Sequence, residues 1–230
     1  MNNSTDPMDD VETTLDPPGS IAVVGAGAIG IEAALYGRFL GYDVTLIEAV
    51  EIGHSMVDQP QKPLPMLPGR CLSPLAISAL RAQKRDMTHS VLPTTCGQWI
   101  HDALVPLTQT DLLRGRLRIP MRVTEIRQIE VQADQEGEDT SDIPSDFRLT
   151  LVGDDQEPDV IDVEAVILAV GVSCDIQLGF DLGAPYFFRV AATSTGDLEQ
   201  DLLHGLREIV AIFAALSGRA DLDLYRPRRV

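Results

Sequence analysis

Three glycines and one carboxylate form the clearest chemical pattern in the sequence. Gly25, Gly27 and Gly30 have the spacing G-x-G-x-x-G, and Glu48 follows eighteen residues after Gly30. In this spacing the first glycine permits a tight turn, the second lets a diphosphate approach the backbone, and the third lets a helix pack closely on a strand. A carboxylate at the position of Glu48 accepts hydrogen bonds from ribose hydroxyls and repels a 2′-phosphate. The pattern therefore predicts a site for an adenine dinucleotide.

The flanking sequence supplies the strand, helix and second strand that such a site needs. An apolar run over 21–24 precedes the glycines, a helical pattern ends at Gly41, and a second strand is predicted over 44–47. The N-terminus of the helix, with the N–H groups of Ala28 and Ile29, is then expected to face the anion. The alternative is a turn of this type that has lost its ligand.

Charge and composition exclude several classes of protein. The 230 residues carry a formal net charge of −17, which argues against nucleic acid as a partner because phosphate binding needs clustered Lys and Arg. Thirteen acidic residues and one basic residue lie within 130–164. This predicts a solvated acidic face, with a polarised docking face as the alternative. Cys71, Cys96 and Cys174 lie far apart without a C-x-x-C, so neither a disulfide framework nor a zinc site is expected.

The N-terminus has no apolar signal-peptide region, and no run of apolar residues reaches membrane-spanning length. We therefore expect a cytoplasmic protein with no membrane partner. A single nucleotide-binding domain of the FAD/NAD(P) Rossmann type is predicted over 20–225, after a flexible acidic tail over 1–19. The Pro-rich stretch over 51–70 is predicted to be a stiff connector. Its alternative role is a wall over the cofactor, with His54 or Arg70 near the ligand.

Helices and then short strands are predicted after this connector. One helix is expected to begin at Pro74, and a second one contains Trp99, which we interpret as a core anchor rather than a stacking platform. Apolar and polar residues alternate over 117–123, which is typical of a strand. Three short antiparallel strands are expected in all, around an exposed acidic loop over 132–146.

The C-terminal part returns to buried elements. The unbroken apolar run over 165–170, closed by Gly171, is typical of a central parallel strand that is covered on both faces. Gly196 and Asp197 precede a long amphipathic helix that Gly218 closes. The predicted fold class is α/β, a Rossmann-like doubly wound parallel sheet with a three-stranded antiparallel β-meander.

This order of parts resembles the FAD domain of the two-dinucleotide-binding flavoproteins, the group of the pyridine-nucleotide disulfide reductases and flavin monooxygenases. The resemblance covers about residues 20–218 and is most specific from Gly25 to Glu48. It implies that the glycine turn holds the ADP half of FAD, that Val123 gives backbone contacts to adenine, and that Asp197 contacts the ribityl and phosphate part. An N-cap is the alternative role for Asp197. The implied cofactor-binding residues are Gly25, Gly27, Ala28, Ile29, Gly30, Glu48, Ala49, Val123, Ala169, Gly171, Gly196 and Asp197.

The sequence departs from this family in three ways. Only about 25 residues separate Gly171 from Gly196, where the family normally carries an NAD(P)H domain with its own glycine motif. The C-x-x-C of the disulfide reductases is missing, so dithiol exchange is not expected. Polar residues over 192–195 replace the apolar strand that precedes the G-D dipeptide in the family.

These observations predict an FAD-dependent oxidoreductase of a monooxygenase-like or oxidase-like kind, which takes electrons from its substrate or from a separate reductase or partner subunit. Two alternatives stay open: an NAD-dependent enzyme, and a non-catalytic nucleotide-binding or interaction protein. The substrate and the catalytic acid or base are not assigned, because the four histidines are scattered through the sequence. No metal-ligand spacing stands out. These histidines are His54, His89, His101 and His204.

Overall fold

The computed structural model describes residues 14–83, 93–130, 144–153, 157–171 and 175–226. Its first sheet has five parallel strands in the order β3-β2-β1-β7-β9. The chain therefore moves outward from β1 in one direction and then in the other, so that β1 and β7 flank a topological switch point. These strands are β1 (Ser20–Val24), β2 (Asp43–Ile47), β3 (Leu117–Arg118), β7 (Ala165–Leu168) and β9 (Phe187–Arg189).

The second sheet has four strands in the order β6-β5-β4-β8. Three of them form the predicted antiparallel meander, and the fourth, β8, runs parallel to β4. The sequence pattern did not indicate this fourth strand, which has only two residues. The strands are β4 (Arg122–Ile129), β5 (Asp146–Val152), β6 (Asp159–Val163) and β8 (Gln177–Leu178).

Six α-helices occur in the described part of the chain. Between α4 and α5 the helix continues as a π-helical turn over Ile100–Leu104, just before Pro106, which has no N–H to continue the α-helical bonding. A 3₁₀ turn covers Pro68–Arg70. The helices are α1 (Ala28–Leu40), α2 (His54–Val57), α3 (Pro74–Gln83), α4 (Cys96–Trp99), α5 (Val105–Thr108) and α6 (Leu198–Leu216). No described helix has the length and apolar character needed to cross a membrane.

The parallel sheet is covered on both faces, as predicted for its central strands. Side chains of a strand point alternately to the two faces. In β1, Ile21 and Val23 pack in the core formed with the helices, whereas Ala22 and Val24 pack in the core formed with the second sheet. The fold is thus a Rossmann-like α/β fold, with helices on one face and the meander on the other.

Two predicted strand boundaries were wrong. The alternating stretch over 117–123 was interpreted as one strand, but Pro120 interrupts it because proline cannot donate a ladder hydrogen bond. The chain changes sheets there, from β3 to β4. The strand that precedes α6 was thought to be lost over 192–195, but it lies earlier, as β9, parallel to β7.

The end of the predicted flexible tail is packed against the domain. Leu15 is only 6% exposed, and its N–H donates to the carbonyl of Leu216 at 2.8 Å. Its carbonyl accepts from the hydroxyl of Tyr42 at 2.8 Å. The rest of the tail, over 1–13, and most of the acidic loop, over 131–143, lie outside the described residues.

A buried carboxyl group links three segments behind the nucleotide crossover. Glu32 of α1 is 3% exposed and accepts from the N–H and hydroxyl of Ser73, at 3.1 and 2.7 Å. The hydroxyl of Tyr225 lies 3.4 Å from the same carboxyl group. Burial raises the pKa of Glu32 from 4.5 to about 7, although the hydrogen bonds from Ser73 and Tyr225 oppose this shift.

We expect Glu32 to make the protein less stable as the pH rises from about 4.5 to about 7. Because the pKa of Glu32 is higher in the folded state, the folded protein binds more protons in this window than the unfolded chain. The shift corresponds to a loss of up to about 3 kcal/mol of unfolding free energy. Urea unfolding of the wild type and Glu32→Gln, at about pH 5 and about pH 8, checks this.

Glu32→Gln should show a much smaller loss between the two pH values, since an amide does not titrate. Asp181→Asn, which changes an exposed carboxylate, is the matched control and should behave like the wild type. An equal pH dependence in the wild type and Glu32→Gln would contradict this account.

Candidate functional site

A cavity of about 580 Å³ opens at the carboxyl ends of β1, β2 and β7. Its volume falls within the range of about 300–1,000 Å³ that is common for small-molecule and cofactor sites. It also lies at the topological switch point, where open α/β sheets bind their ligands. Residues that follow the three strands line it: Gly25 and Gly27 after β1, Glu48, Ala49 and Val50 after β2, and Ala169, Val170 and Gly171 after β7.

The glycine turn brings three backbone segments into direct contact. Gly25 has a φ of +104°, and a Cβ atom there would lie 2.6 Å from the carbonyl oxygen of Ala169. A Cβ at Gly30 would lie 1.8 Å from the carbonyl oxygen of Gly25. Both positions therefore require glycine for the fold itself. The turn after β1, the first turn of α1 and the end of β7 pack together without side chains between them.

Gly27 is different, because none of the residues that the structure describes requires a glycine there. Its φ and ψ are −74° and −180°, which any residue adopts, and a Cβ would meet no atom within 4 Å. Gly27 lines the cavity, so the open space next to its Cα atom is part of that cavity. A missing side chain at this point leaves room for a ligand to approach the backbone, as a diphosphate does in G-x-G-x-x-G turns.

The N-terminus of α1 is open to the cavity. Its N-cap is Gly27, no side chain caps it, and its first turn contains no acidic residue. The first N–H groups of a helix have no acceptor within the helix, and the helix dipole adds partial positive charge. Ala28 and Ile29 of this turn line the cavity. This arrangement fits a bound anion such as a diphosphate.

Glu48, at the end of β2 beside the glycine turn, is fixed by backbone hydrogen bonds. One carboxylate oxygen accepts from the N–H of Ala26 at 2.7 Å, and the other accepts from the N–H of Val50 at 3.0 Å. Its main chain bonds to Arg118 and Met121, at 3.0 and 2.8 Å. Each oxygen keeps a second lone pair, so the carboxylate can still accept from a ligand hydroxyl.

The first strand of the meander forms the wall beside Glu48. Val123 and Thr124 of β4 line the cavity, and Arg122 supplies a cation to its rim. The pairing of β4 with β5 shifts between Val123 and Glu125, which is a β-bulge. Bulges redirect the backbone and are frequent beside functional sites.

The far end of the cavity is mainly apolar. Trp99 is 1% exposed, and its indole N–H donates to the carbonyl of Cys71 at 3.0 Å, which fixes the ring in place. Trp99 is thus the core anchor that we predicted, and one edge of it also reaches the cavity. The neighbouring apolar lining residues are Ile29, Met56, Leu198 and Leu202.

The first turns of α6 reach the cavity through Leu198 and Asp201 rather than through the predicted Gly196 and Asp197. Asp197 caps the helix, with one oxygen accepting from the N–H groups of Glu199 and Gln200 at 3.0 and 3.2 Å. This is the alternative role that we gave Asp197. Neither Asp197 nor Gly196 lines the cavity, whereas Asp201, one turn further along α6, does.

The structure brings most of the predicted cofactor residues together around one space. Gly30 is buried beneath the turn, and Gly196 and Asp197 lie outside the lining; the others line the cavity. Their contact with a cofactor stays a prediction. The predicted residues that line it are Gly25, Gly27, Ala28, Ile29, Glu48, Ala49, Val123, Ala169 and Gly171.

The histidines are dispersed, as the sequence suggested. His54 lines the cavity and lies 3.5 Å from the carboxylate of Glu51. His101 and His204 are exposed and pair with Asp102 and Glu208, at 2.8 and 3.3 Å. His89 and Cys174 lie outside the described residues. Within the described ranges, no group of three or more His, Cys, Asp or Glu residues could hold a metal ion.

The fold is of the Rossmann type, and the segment that carries the glycine turn matches a known family. The profile of the pyridine nucleotide-disulphide oxidoreductase family matches residues 3–62, about a quarter of the chain. This match spans the first crossover from β1 through Glu48. It confirms the resemblance predicted from that segment. No curated protein sequence matches this chain.

Several solved structures resemble part of the chain. They include bacillithiol disulfide reductase Bdr (YpdA) from Bacillus cereus, with 15% identity and a TM-score of 0.47 over 66% of this chain and 40% of that one. An FAD-bound form of OTEMO has 21% identity and a TM-score of 0.46, over 69% of this chain and 27% of that one. An oxidized steroid monooxygenase bound to NADP has 21% identity and a TM-score of 0.45, over 66% of this chain and 26% of that one. The chain spans less than half the length of each.

Gly30→Ala and Gly27→Ala are expected to differ sharply in stability. The new methyl group at Gly30 collides with backbone atoms, so we expect a loss of at least about 2 kcal/mol of unfolding free energy. The methyl group at Gly27 enters open space, so we expect a change of no more than about 0.5 kcal/mol. Urea unfolding of the ligand-free variants measures both. Equal destabilisation of the two variants would contradict the geometry of the turn.

Proposed function

We propose that this chain binds FAD and serves as the flavin-binding part of an oxidoreductase. One observation carries the proposal: the uncapped N-terminus of α1 opens over Gly27 into a cavity of about 580 Å³, and Glu48, which also lines this cavity, is held in place by the N–H of Ala26 in the same glycine turn. The family match over residues 3–62 supports an oxidoreductase related to the pyridine nucleotide-disulphide enzymes.

The two ends of the cavity suit the two halves of FAD. The ADP half would place its ribose at Glu48 and its adenine along the backbone of Val123, with the diphosphate over Gly27. The apolar end beside Trp99 and Leu202 would take the flat ring system and limit the access of water. When bound, FAD would supply the capacity to accept a hydride or single electrons. The chain's own residues would hold the cofactor and orient it.

The arrangement of the walls favours FAD over NAD. The cavity combines the glycine turn, the meander strand β4 and the first turns of α6, which is the combination that the flavoprotein resemblance implies. We propose that electrons come from the substrate or from a separate reductase. An NAD-dependent enzyme is the alternative that cofactor analysis would reveal.

A second candidate is a non-catalytic nucleotide-binding or interaction protein. The carboxylates at the cavity already accept hydrogen bonds from the backbone. Glu48 accepts from the N–H groups of Ala26 and Val50, and Asp201 accepts from the N–H of Thr195. A site arranged in this way can retain a nucleotide without acting on a substrate. Bound flavin that no electron donor reduces would favour this candidate.

The nature of the cofactor can be tested on the purified protein. Denaturation followed by chromatography of the released nucleotide is expected to yield FAD, and FAD added to nucleotide-free protein is expected to bind. Release of NAD would favour the alternative enzyme class. A protein that releases no nucleotide and takes up no added FAD would overturn the proposal.

Gly27→Ala should bind FAD at least about tenfold more weakly than the wild type, because its methyl group occupies the space of the diphosphate. Titration followed by flavin fluorescence measures the dissociation constant. Since this substitution is expected to leave the ligand-free fold intact, a loss of affinity with an unchanged unfolding free energy reports on the site alone. The matched control is Gly69→Ala, which also meets no atom within 4 Å but lies outside the cavity. Equal affinity in Gly27→Ala and the wild type would contradict the diphosphate position.

Glu48→Arg should also weaken FAD binding, by about tenfold or more, because the ribose loses its acceptor and Ala26 and Val50 lose theirs. Glu48→Gln keeps one oxygen acceptor and is expected to bind with intermediate affinity. The same fluorescence titration compares them. Unchanged affinity in Glu48→Arg would rule out the ribose assignment.

A further inference from the structure

A strained residue lies in the wall of the cavity near α6. Ala191 has a φ of +52°, in the left-handed region that non-glycine residues rarely adopt. It follows β9, whose end is fixed because the N–H of Val190 donates to the carbonyl of Leu168 at 2.9 Å. Strained backbone of this kind persists only where neighbouring contacts determine it, and it is frequent at ligand sites.

The contact that determines it comes from α6. The N–H of Ala191 donates to a carboxylate oxygen of Glu208 at 2.9 Å. The other oxygen of Glu208 lies 3.3 Å from Nε2 of His204, one turn earlier on the same helix. The Glu208 side chain is only 28% exposed, so this carboxylate lies against the protein rather than in open solvent.

A second carboxylate of α6 holds the other end of the same segment. Asp201 accepts from the N–H of Thr195 at 2.8 Å and from the hydroxyls of Ser194 and Thr195, each at 2.7 Å. The Thr195 N–H, followed by these hydroxyls, lowers the pKa of Asp201. Asp201 and Glu208 are seven residues apart and therefore lie on one face of the helix.

We propose that Glu208 is a positioning residue: through Ala191 it sets the shape of the cavity wall, and thereby the fit of the flavin end of FAD. This inference rests on the proposed function. Ala191 and Asp201 both line the cavity, whereas Glu208 lies behind the wall and does not line it. Glu208 would thus act on the ligand through Ala191, from whose N–H it accepts a hydrogen bond.

Three variants test this proposal: Glu208→Ala, Glu208→Gln, and Arg207→Ala as a control at the adjacent exposed position. Glu208→Ala is expected to weaken FAD binding about five- to tenfold, because it removes the hydrogen bond from the Ala191 N–H to a charged acceptor. It should also change the circular dichroism of bound flavin and speed amide hydrogen exchange in a peptide containing Ala191. Glu208→Gln should restore all three properties, because its amide oxygen accepts the same N–H, and Arg207→Ala should match the wild type.

The outcomes separate this inference from the proposed function. If the wild type takes up no FAD, the proposed function fails and this inference fails with it. If the wild type binds FAD and Glu208→Ala binds it equally, with unchanged flavin dichroism, then only the role of Glu208 is overturned. If Glu208→Ala does not fold, the double variant Glu208→Ala/Ala191→Gly decides, since glycine adopts this φ without strain. Near wild-type FAD affinity in the double variant supports the proposal, and FAD affinity lowered by about fivefold or more relative to the wild type overturns it.

Discussion

The close contact of α1 with the turn after β1 determines where every other part of the cavity lies. Backbone touches backbone there: a Cβ on Gly30 would lie 1.8 Å from the Gly25 carbonyl oxygen and 3.3 Å from Cβ of Ala169. Because no side chain separates them, the N-terminus of α1 is held directly above the carboxyl edge of the sheet. The end of β7 is held there as well, so the cavity forms between β1 and β7, at the switch point of the sheet.

Two helix N-termini reach this cavity, and their chemistry differs. That of α1 has a glycine N-cap and no side-chain cap, so its N–H groups are left for a ligand. That of α6 is capped by Asp197, so its first N–H groups already have an acceptor. The proposed diphosphate position is therefore at α1 and not at α6. The first turns of α6 contribute mainly the apolar side chains of Leu198 and Leu202.

The sequence predicted the elements whose pattern is local. The glycine spacing located β1, α1 and β2, the apolar run over 165–170 located β7, and the amphipathic stripe located α6, because each of these is buried in a regular, periodic way. The sheet change at Pro120 was missed, since alternation of polar and apolar residues does not say which sheet a strand joins. Strands of two or three residues, such as β8 and β9, are too short to show a period.

The site, like the fold, was predictable only where it depends on a local sequence pattern. Gly25, Gly27 and Glu48, which line the cavity, could be named because the pattern that predicts them depends on spacing along the chain. Met56, Trp99 and Leu202 meet at the apolar end only through tertiary packing, and no spacing rule connects them. The left-handed conformation of Ala191 was equally hidden, because alanine gives no sign of a positive φ.

The central claim is that the turn from Gly25 to Gly27 and the N-terminus of α1 hold the diphosphate of a dinucleotide. A crystal structure of the protein grown with FAD tests it most directly. The account predicts diphosphate oxygens over Gly27 within hydrogen-bonding distance of N–H groups in the first turn of α1, with a ribose hydroxyl at Glu48. A structure in which the chain's own side chains fill this space, or in which the diphosphate lies elsewhere, would contradict it.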